Sequence, residues 1–313
     1  MHNYLLRRLT FLALLAALSA PVAVFAQQGT RINKLIELFE NQQPAFGLLS
    51  FDYSLNNARS MASSGLDFIM IDMEHAPFDV ERLRQFLLGM TDKRTIVEKG
   101  NLQPDVVPFV RVPAAGGAEE LIAQAKQVLD VGVYGIMFPA IHNREQAELA
   151  VRATRYPQYN DAPDIEPAGL RGRNPSNAMW YWGISDYHAR ADVWPLDPQG
   201  ELLAIMFIES PDGVANIDEI IAVPGLGGIF IGPSDLSTSM GYASPAAPQV
   251  EEAIQTVLAA CLENDVPCAI TTNANTVQQR VEEGFRFVTV GADGGLSSGA
   301  SRALSIGREA AGR

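Results

Sequence analysis

Charged residues stand where short apolar runs of the chain end. Asp72-Met73-Glu74-His75 closes the run Phe68–Asp72, Arg111 closes Val107–Arg111, and Glu209 closes Leu202–Glu209. Gly232-Pro233-Ser234-Asp235 ends and follows Gly228–Gly232, and Asp293 follows Phe287–Gly291. Glu209 and Asp235 lie 26 residues apart. That spacing is one strand–helix unit and sets two carboxylates at neighbouring strand ends. With no His or Cys between them they form a hard-oxygen site suited to Mg²⁺ or Mn²⁺. The same residues also serve as plain structural partners for arginine, and spacing alone leaves both readings open. A lone histidine is more often structural than catalytic, but His75 closes a charged cluster, where an imidazole suits proton shuttling. Arg111 ends an otherwise apolar strand and needs an anion, either a protein carboxylate such as Glu74 or a substrate oxyanion.

The elements that position these groups are legible as alternation. Ala45–Phe51, Phe68–Asp72, Val107–Arg111, Gly135–Phe138, Leu202–Glu209, Gly228–Gly232, Pro267–Thr272 and Phe287–Gly291 are continuous apolar runs, as strands buried on both faces should be. Amphipathic stretches separate them. Leu121, Ile122, Ala125, Val128 and Leu129 form one stripe at helical spacing, Ile254, Val257, Leu258 and Cys261 another, and Asp79 and Asn143 read as N-caps. Eight strand–helix repeats specify an α/β protein, a (β/α)₈ TIM barrel. A doubly wound sheet is the rival, but no G-x-G-x-x-G follows the first strand. Thr91–Pro108 and Tyr156–Gly200 are long connections, of the kind that form lids, reshape a barrel mouth or make subunit contacts. Gly295-Leu296-Ser297-Ser298-Gly299 matches a nucleophile elbow, yet no His follows His188, so a turn capping the last helix is expected instead.

Composition narrows the function further. The 313-residue chain carries a formal net charge of −13, which repels phosphate backbones and argues against nucleic-acid binding. Arg7 and Arg8, the apolar run Leu9–Leu18 and Val24-Phe25-Ala26 have the anatomy of a signal peptide over residues 1–26. The expectation is therefore a periplasmic or secreted protein, with residues 27–313 a single barrel domain. No later run reaches the ~18 apolar residues of a membrane span. Two cysteines, Cys261 and Cys268, exclude a disulfide scaffold; two buried thiols are expected, with pairing as the alternative.

The strings Ile-Asp-Met-Glu-His-Ala-Pro (71–77), Val-Pro-Phe-Val-Arg-Val-Pro (107–113), Val-Leu-Asp-Val-Gly (128–132), Ile-Glu-Ser (208–210) and Phe-Ile-Gly-Pro-Ser-Asp-Leu-Ser (230–237), in this order, resemble the HpcH/HpaI aldolase/citrate lyase family. The resemblance runs from about Ala45 to the C-terminus. It implies a class II pyruvate aldolase that cleaves 4-hydroxy-2-oxo acids to pyruvate and an aldehyde, using Mg²⁺, Mn²⁺ or Co²⁺. By position it makes Glu209 and Asp235 the metal ligands and Arg111 the binder of the keto oxygen. His75 becomes the acid/base group, supported by Asp72 and Asp130, and the backbone around Ser234 and Asp235 takes the substrate carboxylate. It also implies a homo-oligomer, commonly a hexamer. Characterised aldolases of the family often carry Gln where this chain has Phe207, and few are exported. The alternatives are a citrate-lyase-like enzyme of acyl thioesters and a non-catalytic barrel that binds oxo acids. No Lys stands at a strand end, which disfavours Schiff-base chemistry.

Overall fold

In the computed structural model, residues 31–114, 116–162, 166–292 and 296–313 are described. The expected signal peptide (1–26), Asp293 and Gly295 lie outside them. Eight parallel strands close in sequence order: β1 (Ala45–Ser50), β2 (Phe68–Asp72), β3 (Val107–Arg111), β4 (Gly135–Phe138), β5 (Leu203–Ile208), β6 (Leu226–Ile231), β7 (Cys268–Thr271) and β8 (Phe287–Ala292). The ring is completed by β1 pairing with β8, Ala45 beside Phe287. The fold is the (β/α)₈ barrel expected from the sequence, with strand ends displaced by one or two residues at most.

Phenylalanines fill the barrel. Phe68 and Phe287 lie 4.2 Å apart between ring centroids, Phe109 and Phe287 6.1 Å, and Phe230 and Phe287 6.0 Å. Contacts between non-neighbouring strands such as β3 and β8 place these rings in the lumen. Room for them comes from glycine: a Cβ on Gly47 would lie 2.3 Å from the Phe68 ring, and one on Gly135 2.6 Å from Phe109. Truncating one such ring to Ala costs about 3–5 kcal/mol.

Helices cover the outside. α1 (Lys34–Glu40) precedes β1, followed in order by α2 (Leu55–Ala62), α3 (Val80–Gly89), α4 (Lys93–Lys99), α5 (Ala118–Asp130), α6 (Arg144–Thr154), α7 (Ser176–Trp182), α8 (Tyr187–Arg190), α9 (Pro211–Ala215), α10 (Ile217–Ile221), α11 (Pro233–Ser239), α12 (Pro248–Glu263), α13 (Val277–Glu283) and α14 (Ser298–Ala310). Asp79 caps α3 by accepting the Arg82 N–H (3.0 Å), and Asn143 caps α6 by accepting that of Gln146 (3.0 Å). Ser297, in the rejected elbow, caps α14 through the Ala300 N–H (3.2 Å). No helix among the described residues is long and apolar enough to cross a membrane.

Two expectations are corrected. Cys261, in the last turn of α12, and Cys268, opening β7, are joined in a disulfide rather than left as thiols; helix and strand run back side by side, with the two Cα atoms 5.9 Å apart. The Tyr156–Gly200 connection does not shape the mouth of this barrel. It leaves the end of α6 and enters the start of β5, so it lies at the N-terminal ends of the strands. There it forms α7, α8 and an isolated bridge between Val193 and Leu202, held by Arg155 gripping Asp192 (2.6 and 2.8 Å) and by Trp182 stacked on Tyr134 (4.6 Å).

Candidate active site

The C-terminal ends of β2 and β3 meet in a tight ion cluster. Asp72 and Arg111 are register partners in the two strands, so both side chains leave the barrel at one level. Asp72 is fully buried, and its carboxylate takes Arg111 in a fork: Nε donates to Oδ1 at 3.1 Å and Nη2 to Oδ2. The same carboxylate accepts the backbone N–H groups of Glu74 (2.9 Å) and His75 (3.3 Å), which curls the loop after β2 over the strand end. Burial alone would raise the Asp72 carboxyl, but the Arg111 fork and these amides hold it below the ordinary carboxylate range. Glu74 adds a contact to Arg111 Nε at 3.2 Å. Burial raises its pKa, an effect that Arg111 and His75 offset only partly.

His75 Nδ1 lies 2.9 Å from Arg111 Nη2 and 3.3 Å from Asp72 Oδ2. A guanidinium only donates. The neutral imidazole therefore accepts from Arg111 at Nδ1, while the imidazolium donates from Nδ1 to Asp72. The side chain is about half exposed (54%), so Nε2 is open to a substrate. Arg111 Nη1 makes no hydrogen bond among the described residues and is not a sealed atom, leaving its two N–H donors for an incoming oxygen.

Glu209 follows β5 and is held by an unusual backbone device. Ala140, after β4, adopts a left-handed conformation (φ 54°) and donates its N–H to Glu209 Oε1 at 2.8 Å. Ile141 N–H then donates to the Phe207 carbonyl at 3.2 Å. A non-glycine residue in that region stores of order 1–3 kcal/mol of strain, typical of functional sites. No pattern in the sequence marks Ala140. The other carboxylate oxygen, Glu209 Oε2, is buried with no hydrogen-bond partner. Burial raises the Glu209 carboxyl, and the nearby Glu74 and Asp235 carboxylates add to the shift, against the Ala140 amide and Arg111. Gly232 leaves the space Oε2 occupies, since a Cβ there would lie 2.8 Å from it. Ser234 and Asp235 are exposed in the first turn of α11.

An orphaned buried oxygen among like charges is the donor set a hard divalent cation requires. A second acidic group, Asp72, Glu74 and His75, also brings its ligand atoms within 4.8 Å of one another. Arg111 already sits in that group as its cation, so Glu209 with Asp235 is the better fit.

Phe207 lies under this assembly. It is buried, its ring stacks on Phe230 at 4.4 Å and 3° between planes, and the Arg111 guanidinium sits 5.3 Å from its centroid. Asp130 is not brought to the cluster within this chain. α5 runs antiparallel to the strands and ends at Asp130, five residues ahead of Gly135 at the start of β4, so the carboxylate lies at the opposite end of the barrel. There it pairs with the buried Arg171 (3.1 Å). The motif string placed Asp130 beside His75, but helix direction sends it away. His142, just ahead of α6, reaches the rim beside the site, where its Nδ1 lies 2.7 Å from Ser210 Oγ.

A closed parallel barrel with a guanidinium, an imidazole and convergent carboxylates on its C-terminal rim has the architecture of a (β/α)₈-barrel enzyme. The family model of the HpcH/HpaI aldolase/citrate lyases matches residues 52–300, and the chain belongs to that family. It is 34% identical over 270 residues to a 4-hydroxy-2-oxo-heptane-1,7-dioate aldolase of Shigella boydii, covering 84% of this chain and 90% of the relative. To a 5-keto-4-deoxy-D-glucarate aldolase of Salmonella arizonae it is 33% identical over 276 residues, covering 87% and 95%. A crystal structure of an HpcH/HpaI aldolase/citrate lyase family protein from Burkholderia cenocepacia superposes with a TM-score of 0.69 at 31% identity, covering 89% of this chain and 97% of that one.

Proposed function

We propose that the protein is an exported, divalent-metal-dependent lyase that cleaves 4-hydroxy-2-oxo acids to pyruvate and an aldehyde. The observation that carries this reading is the buried, unpartnered Oε2 of Glu209, set among Glu74 and Asp235 with Arg111 nearby. A divalent cation held by Glu209 and Asp235 would supply Lewis-acid polarisation of the 2-oxo group. Each remaining task falls to a residue of the chain. His75 Nε2 takes the proton of the 4-hydroxyl as the C3–C4 bond breaks, and the resulting imidazolium donates from Nδ1 to Asp72. The electron pair of the broken bond moves toward the 2-oxo oxygen, where Arg111 Nη1 donates to the developing charge. Asp72 holds both cationic groups in register. The first-turn N–H groups of Ser234 and Asp235, which have no partner within α11, receive the substrate carboxylate.

The Cys261–Cys268 disulfide supports an oxidising, extracytoplasmic location. The protein acts on small 2-oxo acids as a homo-oligomer, with the family's hexamer as the expected state and exposed Trp180 on α7 as a surface available to it. The direct test is oxaloacetate decarboxylation by EDTA-stripped protein, with and without Mg²⁺, Mn²⁺ or Co²⁺. Metal-dependent pyruvate release is expected, and no release with any metal refutes the reading.

A further inference from the structure

Ala140 is held in a backbone conformation that an L-residue leaves when its loop is free to relax. Bonds on either side keep it there. Ile141 N–H donates to the Phe207 carbonyl (3.2 Å). His142 N–H donates to Gln146 Oε1 (2.7 Å), and the Asn216 side-chain amide donates to the His142 carbonyl (2.8 Å). A further bond runs between side chains, where His142 Nδ1 lies 2.7 Å from Ser210 Oγ. The same hydroxyl caps α9 by accepting the Gly213 N–H (3.2 Å). Gly213 lets α9 close on the loop, since a Cβ there would lie 2.7 Å from the Ile141 carbonyl oxygen.

The bond from His142 differs from the others in where it lands. Ser210 directly follows Glu209, and His142 stands two residues beyond Ala140. The two loops are therefore clasped twice, once by Ala140 N–H on Glu209 Oε1 (2.8 Å) and once by His142 on Ser210. Each clasp limits how far the other can open. With Oε1 taken by the amide, Oε2 is the oxygen of Glu209 left without a partner. We propose that His142 is a positioning residue: its bond to Ser210 keeps Ala140 left-handed and its N–H on Glu209, so that Oε2 alone is presented to a divalent cation. The inference rests on the reading of Glu209 as a metal ligand. Without the His142 clasp, Ala140 relaxes out of the left-handed region, its N–H turns off Oε1, and the carboxylate loses its fixed orientation.

The test is the Mn²⁺ affinity of the EDTA-stripped full-length protein, read by calorimetric titration with no substrate present. His142→Phe keeps a ring and removes Nδ1, whereas His142→Asn returns a hydrogen-bonding atom near the position of Nδ1. His142→Phe is expected to weaken Mn²⁺ binding about tenfold, the shift that the left-handed cost of one alanine produces once the loop is released. His142→Asn should recover most of that loss. Ala140→Gly then separates positioning from packing, because glycine takes the left-handed conformation without penalty. In that background His142→Phe should cost no more than about twofold. Ser210→Ala removes the same bond from the other side and is read by the same comparison should His142→Phe not fold; its loss of the α9 cap acts equally in both backgrounds. Equal losses with and without Ala140→Gly, or undiminished Mn²⁺ affinity in His142→Phe, overturn the inference while the metal reading of Glu209 stands. No Mn²⁺ binding by the unaltered protein overturns that reading, and this inference with it.

Discussion

Glu209→Gln separates a metal ligand from a merely buried acid, because the two roles move stability in opposite directions. In the metal-free protein one Glu209 oxygen is satisfied by Ala140 at 2.8 Å and the other by nothing, with two more carboxylates nearby. A buried unsatisfied polar atom costs about 1–3 kcal/mol, and charge adds to that. Replacing the carboxylate with a neutral amide of the same shape removes the charge and the repulsion. The amide leaves an unpartnered polar atom where Oε2 stood, so only the charge and its repulsion are relieved, and the variant should be more stable than the parent in EDTA at pH 7. The metal response runs the other way. A ligand at 100 times its Kd stabilises the folded state by about 2.7 kcal/mol. For a domain of this size that is a Tm rise of roughly 5 °C. The parent should show this rise with Mn²⁺, and Glu209→Gln should show none. Thermal unfolding by circular dichroism, with EDTA and then with saturating Mn²⁺, reads both quantities without any substrate. A variant that is less stable in EDTA, or that keeps the rise with Mn²⁺, would refute the assignment.

Arg111→Met strips the guanidinium from Asp72 and Glu74 and should destabilise the fold by about 3–5 kcal/mol at pH 7. It should lower lyase turnover by orders of magnitude while the Mn²⁺-induced Tm rise persists; loss of that rise would show that Arg111 also holds the metal site. Phe207→Leu keeps an apolar side chain but removes the ring facing Arg111 at 5.3 Å. A largely desolvated cation–π contact is worth about 1–2 kcal/mol, so turnover should fall roughly tenfold with metal binding intact. An unchanged rate would reduce the ring to packing. At the other end of the barrel, burial would raise the Asp67 carboxyl, but hydrogen bonds from Arg313 (2.8 and 2.9 Å) and the charge of Lys34 hold it below its ordinary value. Its folded pKa lies below its unfolded one, so this stabilisation is present above about pH 4 and is lost as pH falls through the folded value. Arg313→Ala should shift that loss to higher pH, read as a stability gap in urea unfolding that is full at pH 7 and closes toward pH 3; superimposable curves at pH 7 would contradict it.

Much of the architecture was legible because barrel strands buried on both faces leave unbroken apolar runs. Phe68–Asp72, Val107–Arg111 and Gly135–Phe138 coincide with β2, β3 and β4. The site was legible to the extent that its residues terminate those runs, as Asp72, Arg111 and Glu209 do. Features that depend on chain direction or on side-by-side placement were not. Asp130 sits in a motif string with the right neighbours, but only the antiparallel course of α5 reveals that it faces Arg171 at the far end. Cys261 and Cys268 are seven residues apart in sequence, and nothing in that spacing says the helix end returns alongside the strand. Ala140 is the extreme case. Its role comes from a left-handed backbone that alanine does not advertise, and it acts through an N–H that every residue but proline possesses.

The long connection between α6 and β5 has one more consequence. It gathers bulky aromatics and arginines at the end of the barrel remote from Glu209, and a filled lumen of phenylalanines stands between the two ends. Surface on one side and reactivity on the other can therefore diversify independently. A lineage can lengthen, recharge or re-pair that connection without retuning the reaction. For an engineer it is a site for tethers, labels or new contacts set apart from the reacting groups.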